Sequence, residues 1–157
     1  EPPALHQAQA AYGWLELGNV EEAFAELERL PEELQSLPAV QAVRLDCLMA
    51  TKDWNAAVKL AQVLCGQWAE EPGLWLHHAY AARRCAGGSI EAAYELLAPC
   101  VERFPEEWLI PYNVACYLCQ MERLDKARAM LEMARSKGGG RVDTMAKDDE
   151  DLAPLNL

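Results

Sequence analysis

Positive charge is scarce in this chain. Its 157 residues carry 14 Lys and Arg against 25 Asp and Glu, a formal net charge of −11 with an isoelectric point near 4.7. Such a field repels phosphate backbones and anionic membrane surfaces on average, which argues against nucleic acid and lipid as partners. Long apolar runs are missing too: none approaches the roughly 20 residues that cross a bilayer. The amino end, Glu1-Pro2-Pro3, has neither the basic start nor the apolar stretch of a signal peptide. Together these absences predict a soluble, cytoplasmic chain with no membrane partner. It starts at Glu rather than Met, as a trimmed piece of a longer protein would. Catalytic signatures are equally thin. There is no nucleophile elbow and no H-E-x-x-H, and Gly138-Gly139-Gly140 lacks the Lys and Ser or Thr that follow in a phosphate-binding loop. What remains is 52% hydrophobic and 25% charged, the composition of a folded domain, at a length suited to one domain and not comfortably two.

Six cysteines raise the question of disulfides, because an even count in a small secreted chain is usually a framework of bridges. Each of them, Cys47, Cys65, Cys85, Cys100, Cys116 and Cys119, lies in an apolar or helical stretch, where a thiol behaves as a small hydrophobe. Reduced structural thiols are the expectation. Cys116 and Cys119 have the spacing of a redox or zinc pair, but a redox pair works at a helix amino terminus and these fall in mid-helix, while a closed zinc site needs two more ligands. The adjacent His77 and His78 point about 100° apart on a helix and do not face one ion together. No metal or cofactor is expected, and no enzymatic activity. Acidic pairs such as Glu21-Glu22 and Glu32-Glu33 fall near helix starts, where the helix dipole favours them.

The strongest pattern is a repeat. Val20-Glu21-Glu22-Ala23, Trp54-Asn55-Ala56-Ala57, Ile90-Glu91-Ala92-Ala93 and Leu124-Asp125-Lys126-Ala127 each place a large apolar residue three positions before an Ala. The four alanines are 34, 36 and 34 residues apart. Four positions on stand Leu27, Ala61, Leu97 and Leu131, and seven on stand Leu30, Leu64, Cys100 and Ala134. That spacing is one helical stripe, and the small residue lets a second helix come close. The second helix precedes each one, in the apolar-periodic stretches from about Ala4 to Leu17, Val40 to Ala50, Leu74 to Cys85 and Leu109 to Met121. Short polar or Gly-containing turns join the two, and the extra spacing of the third unit falls at Gly87-Gly88. Pro38, Pro72 and Pro105 separate successive units, and Pro99 should bend the second helix of the third unit near residues 95 to 99.

In these residues the chain resembles the tetratricopeptide repeat family, whose units are helical hairpins of 34 residues with a small residue, an aromatic, a Gly turn, an Ala and a closing Pro at set places. Tyr112-Asn113-Val114-Ala115-Cys116-Tyr117-Leu118 with Leu124 to Leu131 matches most clearly. Ala11, Trp14, Gly18, Ala23 and Leu27 carry the first unit, and Trp75, Ala79, Ala93 and Pro105 the third. The second departs most, with Lys52 at the turn Gly and Arg44 near the small buried position. The resemblance implies an all-α, right-handed superhelical solenoid: a single domain with repeats at about 4–37, 38–71, 72–107 and 108–137. A carboxyl-terminal linker and capping helix at 138–157 would then place Val142, Met145 and Ala146 on one side and Leu152, Pro154 and Leu155 on the open end.

The same resemblance implies a concave surface, lined by the first helix of each unit, that binds a peptide or partner protein. The positions it assigns there include Tyr12 in the first unit, Asp46 and Met49 in the second, His77, Tyr80, Arg83 and Arg84 in the third, and Tyr112, Asn113 and Gln120 in the fourth. Tyrosines are rigid amphipathic anchors, and Arg83 with Arg84 is a basic pair in an acidic chain, so an acidic or carboxylate-ended peptide is the expected ligand; the alternative gives the two arginines to salt bridges with acidic residues of neighbouring hairpins. The clamp that some family members use on chaperone tails is not reproduced: its places hold Ala8, Tyr12, Val43, Gly73 and His77, with only Asn113 compatible. Self-association of the repeat domain, and a thiol or metal protein built on Cys116 and Cys119, are the alternatives to an interaction module.

Overall fold

Each hairpin of the chain turns from its first helix into its second through one left-handed residue. In the computed structural model, which describes residues 2–157 with side chains from Ala4 onward, the first hairpin pairs α1 (Pro2–Glu16) with α2 (Val20–Glu28). Glu1 and the side chains of Pro2 and Pro3, on which the reading of the amino end rests, lie outside the described residues. A short helix α3 (Glu32–Gln35), which the periodicity does not announce, leads into α4 (Pro38–Ala50) and α5 (Trp54–Gln67). The third hairpin is α6 (Pro72–Arg84) with α7 (Ile90–Leu97) and α8 (Cys100–Arg103), and the fourth is α9 (Leu109–Gln120) with α10 (Leu124–Gly138). Helix α11 (Gly140–Lys147) and a 3₁₀ segment, Glu150–Leu155, end the chain, and no strand occurs among the described residues.

The turns explain the repeat physically. Gly18 and Gly87 take φ of 75° and 74°, and at the equivalent places Lys52 and Glu122 are held at φ of 59° each. The second unit therefore keeps the turn geometry without the glycine. Asn19, Asp53 and Ser89 then accept the backbone N–H three residues on, at 3.2, 3.1 and 3.0 Å, fixing the start of α2, α5 and α7. Pro38 and Pro72 open α4 and α6 as first-turn residues, where a missing N–H is harmless.

The core is the stripe that the alanine spacing marks out: Ala23, Ala57, Ala93 and Ala127 are all fully buried. It runs along the stack in three clusters, the largest built around α9 and α10 with Ala79, Ala93 and Leu97 from the third hairpin. The second helix of the third unit is interrupted at Ala98 and Pro99, between α7 and α8, where the proline cannot donate to Glu95. Gly138 ends α10 against Trp108, so close that a Cβ there would stand 3.0 Å from the indole ring and 2.5 Å from Val142 Cγ2. This contact seats α11 on α10. Val142 and Ala146 of α11 are buried as expected, whereas Met145 is exposed, because the helix turns only a narrow stripe inward. Pro154 is likewise exposed, while Leu152 and Leu155 are buried.

Candidate functional site

The first helices α1, α4, α6 and α9 supply the wall on which the sequence places the binding residues, and the structure divides it into an open part and a covered part. The open part begins between α1 and α4, where a recess is lined by Leu5, Ala8, Gln9, Tyr12, Glu16, Ala39 and Val43. Tyr12 is half exposed there. A second recess, about 470 Å³, lies between α4 and α6 and brings Asp46 to His77, with 3.8 Å between Oδ1 and Nε2. Burial raises the Asp46 carboxyl above the ordinary carboxylate range, and the imidazole opposes that rise. His77 faces this recess, and its neighbour His78 turns into the core, where burial lowers its pKa.

Beyond it Tyr80, Arg84 and Met49 meet Trp54 and Lys52 around a third recess. The Arg84 guanidinium lies 3.5 Å from the Tyr80 ring centre and 5.8 Å from that of Trp54, and the two rings are 5.7 Å apart. Arg84 donates to the Tyr80 carbonyl and has no carboxylate partner among the described residues. A cation stacked on an aromatic face in a half-solvated recess keeps its attraction for anions while its stem is held in place.

The covered part is at α9. Tyr112, expected on the groove, is only 2% exposed, because the carboxyl-terminal segment lies on it. Its hydroxyl donates to Asp149 Oδ2 at 2.7 Å, and Cys116 Sγ approaches the same oxygen at 3.7 Å. Arg83 clasps Asp151 with both terminal nitrogens, Nη2 at 2.9 Å from Oδ1. Gln120 Nε2 donates to the Asp151 carbonyl at 3.1 Å. Asn113 is bound to its own helix, at the Leu109 carbonyl. The Arg83 hydrogen bonds hold the Asp151 carboxyl below the usual carboxylate range, and burial with the Asp149 hydrogen bond pushes the Tyr112 phenol up. The residues expected on one wall thus stand in separate environments: Tyr12, Asp46, Met49, His77, Tyr80 and Arg84 on the open side, and Tyr112, Arg83 and Gln120 under the tail. The repeat pattern does not bring Trp54 and Lys52 of the second hairpin, or the two tail aspartates, into these environments, where the structure places them. The one signal for them is the acidic run Asp148 to Asp151 in a chain with a basic pair at Arg83-Arg84.

The thiol chemistry goes against a redox pair. Burial first, and the Asp149 carboxylate second, push the Cys116 thiol far above its ordinary range, and Cys119 moves the same way, opposite to the activation that exchange needs. Burial also raises Cys47 and Cys65 to about 11. Among the described residues no group of three or more His, Cys, Asp or Glu is gathered where a metal would sit, and no helix is long and apolar enough to cross a membrane.

No family model and no curated protein matches the sequence. Among solved structures, the crystal structure of TTC0263, a thermophilic TPR protein in Thermus thermophilus, superposes with a TM-score of 0.76 over 98% of this chain and 81% of that one, at 17% identity. The chain has the tetratricopeptide repeat fold. Its helical repeats form an α-solenoid, the architecture that the repeat and its family resemblance imply.

Proposed function

We propose that this tetratricopeptide-repeat domain is a non-catalytic interaction module whose first-helix wall binds an acidic peptide or partner protein, in the cytoplasm. The observation that carries it is the recess of Trp54, Tyr80 and Arg84: clustered aromatic rings bearing a guanidinium without a carboxylate, on a chain of net charge −11. At physiological salt, charges more than about 8 Å apart are screened, so an acidic ligand feels Arg84 and Lys52 rather than the distant average field. Tyr12, Asp46, Met49 and His77 extend the same wall with anchors of the mixed kind that interfaces favour. Six free thiols, five of them buried, suit a reducing compartment. The test is a display library of random 12-residue peptides selected on the full chain. Selected peptides should be enriched in Asp and Glu, and Tyr80→Ala with Arg84→Glu should weaken them at least tenfold at unchanged thermal midpoint. Binders indifferent to both substitutions would contradict the assignment.

Self-association is the second reading, carried by Leu5, Tyr12 and Leu17, exposed by 50%, 50% and 77% in the first hairpin. It requires a mass that doubles with concentration in sedimentation, and a constant monomer mass removes it.

A further inference from the structure

The carboxyl-terminal segment does more than close the solenoid. An end cap has to cover the apolar face of the last hairpin, and α11 contributes to that with Val142 and Ala146. The chain then continues over α9, onto the wall where the binding residues stand. Three elements grip it there: α6 through Arg83 on Asp151, α9 through Tyr112 on Asp149 and Gln120 on the Asp151 carbonyl, and α10 through Arg128 on the Leu155 carbonyl at 2.9 Å. Leu152 and Leu155, three residues apart, sink to 1% exposure between these contacts. The segment is short and acidic, carries two leucines at fixed spacing, and meets a cation, a phenol and an apolar floor.

We infer that Asp148–Leu155 is a built-in occupant of the binding wall, and that the partner bound in trans is a segment of the same chemistry, Asp-x-Asp-Leu-x-x-Leu, running on from the tail's footprint to Arg84. This rests on the reading of the wall as a binding surface and names its ligand. The charge argument is specific: the wall selects an acidic segment from a chain whose own charge is strongly negative, so local complementarity outweighs the average repulsion. The footprint also ends beside an unfilled position. Arg84, next in sequence to the occupied Arg83, is stacked on Tyr80 and makes no salt bridge or hydrogen bond to the tail, although Asp151 lies near enough to feel its charge. A partner needs that surplus, because a tethered segment competes at an effective concentration in the millimolar range.

The probe is a fluorescein-labelled peptide of residues 147–157, titrated into the full chain and followed by polarisation. Wild type should bind it weakly, with its own tail in place. Asp149→Asn with Asp151→Asn, which loosens the tail, should bind it at least tenfold more tightly, and adding Arg83→Ala should erase the gain. Leu155→Ala serves as a milder loosened chain with an intact thermal transition, and should fall between the two. Equal affinity for wild type and Leu155→Ala overturns the inference. If the peptide binds neither loosened chain while library-selected peptides still depend on Tyr80 and Arg84, the inference falls and the wall keeps its function. Absence of binding by both kinds of peptide removes the two together.

Discussion

Lys52 and Glu122 carry a conformational cost that glycine would not. Both occupy the left-handed turn position that Gly18 and Gly87 hold in the other hairpins, and both are solvent-exposed, so little burial offsets the strain. Lys52→Gly and Glu122→Gly should each raise stability in urea unfolding by up to about 1 kcal/mol, the difference between an unfavoured and a natural left-handed residue. Two carboxylates differ in sign. Asp151 is held below the usual range by Arg83, so its contribution is complete above the unfolded carboxylate value and disappears as pH falls through the lower folded one. Wild type should therefore exceed Asp151→Asn in stability at neutral pH, the gap closing in acid. Asp46 is raised by burial, so its ionisation costs stability above the folded value and the cost is absent below the unfolded one. Asp46→Asn should be the more stable chain at neutral pH and lose that advantage in acid. Thermal midpoints of the three proteins across pH 2 to 7 measure both slopes.

Helix by helix, the fold is legible because each element is specified locally. Alanines at nearly constant spacing mark the second helices, prolines the first ones, and Asn19, Asp53 and Ser89 the starts between them. Replacing any one of these three by Ala should cost about 1 kcal/mol in denaturant unfolding. Unchanged stability in all three variants would mean that tertiary packing alone sets the helix starts. Pro99 announces the interruption between α7 and α8 through its missing N–H. Helix α3 is not legible, since four residues of Glu-Glu-Leu-Gln show no period. Its carboxyl end is secured instead by tertiary bonds, Gln35 donating to the Leu27 and Leu30 carbonyls. The inward face of α11 is legible for Val142 and Ala146 but not for Met145, because eight residues leave the stripe too short to define by apolarity.

At the scale of the molecule, the candidate site is half legible. The family resemblance assigns Tyr12, Asp46, His77, Tyr80 and Arg84 to the open face of the first helices, and the structure leaves these five lining open recesses. The resemblance says nothing about what lies on that face, so Tyr112 and Arg83 look available in the sequence although the tail has taken them. Contacts such as Arg83 with Asp151, 68 positions apart, depend on where α11 delivers the chain, which the Gly138 packing against Trp108 decides. On the proposed reading, an inner wall of first helices binds and the outer helices support it. Hydrogen exchange of the full chain with and without a library-selected acidic peptide tests this most directly. Protection is predicted on α4 and α6 around Met49, His77, Tyr80 and Arg84, with the outer helices α2, α5 and α10 unchanged outside their first turns. Protection confined to α2, α5 and α10 would contradict it.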